Sequence, residues 1–265
     1  EWNRRGRGRV RPFRAGTHVR TLWVYLVASV STVYHAARIL IPAAFRSSSF
    51  PSIAREQPRN WARSLLWAAG VEVELEGLEH LPPGEPAILV SNHESWFDVF
   101  ALVVHLPVDY RFVGKIELTR IPFFGRSWLA TGHIAIDRSD RQKAIESLRE
   151  AGQSLRRDGA VVVMFPEGTR SEDGRLLPFK KGAFVLALQT GVPVVPVGVS
   201  GSREIMPKGS WRIRPGTIRL RIGPPIPSAG LGEGARDALL NEARSEVDRL
   251  RRPLLDAGRD EQDQS

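Results

Sequence analysis

Three patterns of hydrophobic and polar positions follow one another along the chain, and each predicts a different kind of element. Residues 21–37 carry no Asp, Glu, Lys or Arg, and Leu22, Trp23, Val24, Leu26, Val27, Val30 and Val33 make the run strongly apolar. These 17 residues fall just short of the roughly 20 that a membrane-spanning helix needs. Arginines flank the run at Arg20 and then at Arg38 and Arg46, whereas a spanning helix usually shows a one-sided excess. A second segment, residues 61–71, sets Trp61, Leu65, Leu66 and Trp67 around Arg63, which predicts an interfacial helix. The two together read as a helix pair that dips into one leaflet, or as core helices of a soluble protein. The apolar run continues through Arg38 into Ile39, Leu40 and Ile41, which argues against a cleaved secretory leader.

Beyond residue 71 the pattern becomes that of an α/β domain. Residues 87–91 (AILVS) and 160–165 (AVVVMF) read as buried strands, with further short strands at 110–114, 134–136 and 192–199. Helical runs fall between them at 95–106, after a cap at Ser139 or Asp140, and at 182–190. Alternation of strands and helices predicts an α/β fold with a largely parallel sheet flanked by helices on both faces. In residues 217–223, Ile218, Leu220 and Ile222 alternate with Arg219 and Arg221, the pattern expected of a half-exposed edge strand. Residues 235–250 close the fold as an amphipathic helix.

Composition adds a basic balance. A net charge of +9 over 265 residues concentrates anionic partners near the surface, whether nucleic acid, lipid headgroups or phosphorylated substrates. Seven arginines between residues 4 and 20, set among Gly and Pro, predict a mobile basic arm over 1–20. Residues 256–265 read as an unpacked polar tail. The absence of cysteine excludes disulfides, thiolate nucleophiles and thiolate metal sites. The chain opens on Glu1 rather than Met and is read as a fragment or a processed product.

The first group with chemistry in it is Asn92, His93, Glu94, Ser95, Trp96, Phe97 and Asp98, placed where a buried strand gives way to a helix. Ligands in open α/β sheets collect at that end of the strands. On one continuous helix His93 and Asp98 would face different ways, so they meet only if His93 precedes the helix. With Ser95 near the N-cap, Asp98 leans back toward the imidazole and can fix its tautomer, leaving the other ring nitrogen as a base. Ser95 followed three residues later by Asp98 equally fits a capping box, in which the acid only satisfies a backbone donor.

A second group follows the strand at 160–165: Glu167, Gly168, Thr169, Arg170 and Ser171, where glycine permits a tight turn and arginine suits bidentate contact with phosphate. The loop lacks the G-x-x-x-x-G-K-[ST] phosphate cradle of nucleotide hydrolases. Lys115 and Arg138 are further cations at predicted strand ends, consistent with a pocket for an anion.

Taken together, N-H-E-S-W-F-D at 92–98, G-H-I-A-I-D-R at 132–138, F-P-E-G-T-R-S at 165–171 and V-P-V-V-P-V at 192–197 resemble the glycerolipid acyltransferases of the 1-acylglycerol-3-phosphate type. The resemblance is clearest over residues 80–200 and rests on four motifs in order. It implies His93 as catalytic base, Asp98 as its orienting partner, and Arg138, Glu167, Gly168 and Arg170 at the acyl-acceptor site, to which Lys115 and Thr169 are added as candidates by their place at a strand end and in the loop. It implies transfer of a fatty-acyl group from acyl-CoA or acyl carrier protein to the free hydroxyl of a lysophosphatidic acid, with no cofactor or metal beyond that thioester co-substrate. The domain reading is then a basic arm (1–20), a hydrophobic helix pair (21–71), an acyltransferase domain (72–255) and a tail (256–265). The expected partners are a membrane lipid and the membrane surface at its cytoplasmic face, and no nucleic acid. Other acceptors, a lipid esterase and a non-catalytic basic binding module are the rival readings.

Overall fold

A computed structural model describes residues 16–81, 84–137 and 139–252. The chain enters as a helical hairpin, α1 (Thr17–Ala44) and α2 (Phe50–Ala69), which ends at Gly70 in the left-handed conformation. Seven strands follow: β1 (Val71–Glu76), β2 (Ala87–Ser91), β3 (Tyr110–Lys115), β4 (Ile134–Ile136), β5 (Val161–Met164), β6 (Val194–Ser200) and β7 (Gly216–Ile222). Six helices lie between and after them: α3 (Trp96–His105), α4 (Phe124–Ala130), α5 (Arg141–Asp158), α6 (Gly182–Thr190), the short α7 (Ser202–Ile205) and α8 (Arg236–Arg251).

The strands form one sheet in the order β1-β7-β6-β2-β5-β3-β4. All neighbours are parallel except β6 and β7, which bears out the largely parallel α/β expectation. The central strands β2 and β5 are buried throughout, so they read as unbroken apolar runs rather than alternating ones. One face of the sheet carries Leu89, Val163 and Val195 beneath α3 and the hairpin, and the other carries Ile88, Val162 and Val194 beneath α5, α6 and α8.

The edge-strand expectation for 217–223 is overturned. β7 lies between β1 and β6, and β1 is the edge. The alternating arginines have partners across the ladder: Arg219 stands opposite Glu74 and Arg221 opposite Glu76, with Arg219 Nε 2.8 Å from Glu74 and Arg221 Nε 3.9 Å from Glu76. A second alternating strand, V-E-V-E-L-E, thus meets the first charge for charge.

The 1–20 span expected for the basic arm overlaps a helix. Helix α1 already begins at Thr17, and Arg20 is buried, with Nη1 donating to the Ala69 carbonyl at 3.2 Å. Residues 1–15 and the 256–265 tail lie outside the described residues. Helix α1 is long and apolar enough to cross a membrane by length and composition, yet it packs against α2 and α4.

Candidate active site

The turn between β2 and α3 is built around one carboxylate oxygen. Ser95 is the extended N-cap of α3, and its hydroxyl accepts from the Phe97 N–H at 3.3 Å and donates to the Met206 carbonyl at 2.8 Å. Asp98 sits in the first turn, fully buried, and its Oδ2 accepts from the Ser95 and Glu94 N–H groups at 2.9 and 2.7 Å. The same oxygen lies 2.8 Å from His93 Nδ1. Capping and ring orientation therefore coexist, because the side chain leans back over the helix start. Nδ1 carries the proton in this pairing, and Nε2 is left as the basic nitrogen.

Asn92, immediately before His93, locks the turn to the next strand. Its amide donates to the Val199 carbonyl and accepts from the Val199 N–H, both at 2.8 Å. On the other side, the His93 ring stacks on Phe165 with centroids 4.0 Å apart. The loop after β5 is stitched to the same backbone: the His93 N–H donates to Glu167 Oε1 at 2.7 Å, and the Ser171 N–H donates to the His93 carbonyl at 2.8 Å. Glu167 Oε2 accepts from Leu177 at 2.8 Å. Gly168 takes a φ of 75°, a left-handed conformation that favours glycine, and a Cβ there would meet only the flexible end of the Lys180 side chain at 2.9 Å.

Burial pushes the Glu167 carboxyl up to about 7. It does the same to Glu94, with the neighbouring Asp98 charge adding to the effect. Arg170 is half-buried, its guanidinium 5.4 Å from the centre of the Trp96 ring, and burial lowers its pKa.

Of the residues singled out in the sequence, His93, Asp98, Glu167 and Gly168 come together in one hydrogen-bonded unit, and Arg170 borders it through Trp96. Thr169 and Lys115 are exposed. Lys115 ends β3, the strand next to β5, at the same end of the sheet as His93. Arg138 lies outside the described residues. Glu94, named in the 92–98 group but given no role from the sequence, is buried between Asn92 Nδ2 at 3.3 Å and Arg251 Nη1 at 3.8 Å. Lys180, whose N–H bonds the Pro166 carbonyl, is not singled out by the sequence. Neither has a local signal: Arg251 is on α8, far along the chain, and Lys180 is one of two adjacent lysines.

Residues 72–200 match the family described as Acyltransferase. A 1-acyl-sn-glycerol-3-phosphate acyltransferase of Limnanthes alba is 41% identical over 162 residues, which is 61% of this chain and 57% of the plant protein. The human 1-acyl-sn-glycerol-3-phosphate acyltransferase alpha is 37% identical over 191 residues, 72% of this chain and 67% of that protein. The chain belongs to this acyltransferase family. The acyltransferase match runs to the end of β6 and so contains both the His93–Asp98 turn and the 165–171 loop. A wider likeness exists to the crystal structure of the 1-acyl-sn-glycerophosphate (LPA) acyltransferase PlsC from Thermotoga maritima, with a TM-score of 0.75 and 28% identity, covering 89% of this chain and 97% of that one. The chain spans a little over half the length of the Limnanthes acyltransferase and two thirds of the human one.

Proposed function

We propose that the protein transfers a fatty-acyl group from an acyl thioester, carried by coenzyme A or acyl carrier protein, to the free hydroxyl of 1-acylglycerol 3-phosphate, giving phosphatidic acid. The observation that carries this reading is the 2.8 Å contact of His93 Nδ1 with the buried Asp98 carboxylate, which leaves Nε2 to act as base beside a half-buried arginine. In the step proposed, Nε2 takes the proton from the acceptor hydroxyl as its oxygen bonds to the thioester carbon. The tetrahedral intermediate collapses with cleavage of the C–S bond, and the proton on Nε2 passes to the departing thiolate. Arg170, with Lys115 and Arg138, is assigned to the acceptor phosphate. Glu167 holds the His93 backbone rather than touching substrate. An apolar cavity bordered by Trp96, Phe100, Trp61, Phe124, Trp128 and Ile39 adjoins the Arg170–Trp96 contact and suits a hydrocarbon chain.

The same reading places α1 in the interfacial layer of the cytoplasmic leaflet. Val19, Leu22, Leu26, Val30 and Ile41 are exposed along it, a contiguous apolar strip that calls for a non-aqueous neighbour.

The test is product analysis with a labelled acyl thioester and purified protein. Thioester loss is expected to depend on lysophosphatidic acid, with label recovered in phosphatidic acid, and His93→Ala is expected to slow it by roughly 10²–10⁴-fold with an unchanged circular dichroism spectrum. Thioester loss at the same rate without acceptor would mark a hydrolase, and equal use of monoacylglycerol would remove the phosphate from the recognition.

A further inference from the structure

Outside the site described above, one feature combines exposed apolar side chains, unpaired charge and an unusual backbone: residues 120–129, which lead into and form α4. Ile121, Phe123 and Leu129 are 44%, 55% and 46% exposed. Phe123 takes a φ of 62° and a ψ of −51°, and the Phe124 N–H reaches back to the Pro122 carbonyl at 2.6 Å. This is a γ-turn centred on a bulky residue at positive φ, a conformation rare for any residue with a side chain. The turn sends two adjacent rings opposite ways. Phe124 goes inward, 5.5 Å from Trp61, and Phe123 goes out to solvent.

The turn is also held rigidly. Gly125 lies so close to the preceding backbone that a Cβ would sit 2.1 Å from the Thr119 carbonyl oxygen, and the Gly125 N–H bonds the Ile121 carbonyl at 2.9 Å. Arg120 and Arg126 bracket the apolar tip, both exposed, and neither makes an ion pair among the described residues. An apolar tip between unpaired cations suits the boundary of an anionic bilayer, where the rings enter the hydrocarbon and the guanidinium groups stay with the headgroups. Helix α4 flanks α1: Phe124 and Trp128 share a cavity wall with Thr32 and Ala36. Helix α4, into which the tip leads, is therefore packed beside α1, the helix already assigned to lipid.

We propose that residues 120–129 form a second membrane-contacting element, which inserts Phe123, Ile121 and Leu129 into an anionic lipid surface beside α1. This rests on the membrane reading of α1 and extends it to a part of the α/β domain that follows β3. Because β3 ends at the same end of the sheet as the His93 turn, a contact here fixes the tilt of the domain as well as its attachment. The mouth of the site is thereby held toward the lipid acceptor.

The chain has no cysteine, so single cysteines carrying an environment-sensitive fluorophore can be placed at will. Labels at Phe123 and at Leu129 test the proposal, a label at Leu26 tests α1, and a label at Glu242, exposed on α8, is the negative control. With phosphatidylglycerol-containing vesicles the expected result is a blue shift at 123, 129 and 26 and none at 242, weaker with neutral phosphatidylcholine. A shift at 26 with none at 123 and 129 overturns this proposal and leaves the membrane reading of α1 standing. No shift at any position removes both. A shift at 123 that needs no vesicles and grows with protein concentration assigns the surface to self-association and overturns the proposal. As a second variant, Phe123→Gly keeps the positive φ while deleting the ring. It is expected to retain the fold and lower vesicle partitioning by about five- to tenfold, and unchanged partitioning of this variant counts against the proposal.

Discussion

Asp98 serves two structures with one oxygen. Oδ2 receives the backbone donors that start α3 and also faces His93 Nδ1, while Oδ1 is buried without a partner among the described residues. The carboxylate's contacts are thus all on the His93 side. Two further carboxyls crowd this turn, Glu94 and Glu167, each pushed up to about 7 from 4.5. Since both are raised, the folded protein retains protons that the unfolded chain has lost. Their contribution to stability is complete below pH 4.5 and disappears as pH rises through about 7. The expected outcome is a loss on the order of 3 kcal/mol per group across that window. Thermal unfolding of the parent and of Glu94→Gln across the window checks it: the variant's profile should be flatter, and coincident profiles would show that Glu94 does not hold a proton there. The His–Asp pair was legible in the sequence because its geometry depends only on where α3 begins. Glu94 was not, because its burial is created by Arg251 and Asn92, and the partner on α8 is brought in by the tertiary fold.

At the scale of elements, the strands and helices around the site were readable wherever an apolar run was bounded by polar turns. The α6 expectation at 182–190 coincides with Gly182–Thr190. β7 was misplaced for a physical reason: alternation shows that one face of a strand is polar, not that it faces water. Here the polar face of β7 meets the glutamates of β1, whose own alternation had gone unread. A comparable long-range constraint fixes α8. Gly198 in β6 is so close to that helix that a Cβ would lie 2.3 Å from the Leu250 carbonyl carbon and 2.4 Å from the Arg251 nitrogen. Backbone cannot move aside as a flexible side chain can, so Gly198→Ala must push α8 off the sheet. Arg251, which reaches the Gly174 carbonyl at 2.8 Å and stands beside Glu94, would be displaced with it. The expected cost is about 1–3 kcal/mol, read by urea unfolding. Gly234→Ala, at a position with nothing within 4 Å, should stay within about 0.5 kcal/mol and serves as the control; equal effects of the two would show that the close approach is not what holds α8.

For the whole molecule, the question is how a helix long enough to span a bilayer is used. At 28 residues α1 is about 42 Å long, more than the roughly 30 Å of a hydrocarbon core, so length does not decide it. Its attachments do. Thr21 accepts from the Ile213 N–H at 3.0 Å, and the Tyr25 hydroxyl donates to the Trp211 carbonyl at 3.2 Å. Farther along, Trp61 Nε1 donates to Thr32 at 2.9 Å, and His35 lies 2.8 Å from Gln57 Oε1. One side of α1 is therefore bonded to protein over four turns, and a spanning orientation would carry α2 and the 206–213 loop into lipid with Arg55, Arg59, Arg63 and Arg212. An orientation in the plane of one leaflet puts the apolar strip in hydrocarbon and leaves those arginines outside. On the function proposed above, it would also let a lysolipid keep its acyl chain in the bilayer while its headgroup reaches His93. Cysteines at His18 and Ser47, near the two ends of the hairpin's first helix, should then react with an impermeant maleimide from the same side of sealed vesicles. Reaction from opposite sides would mean that the bonds along α1 give way in the membrane and that the helix crosses it.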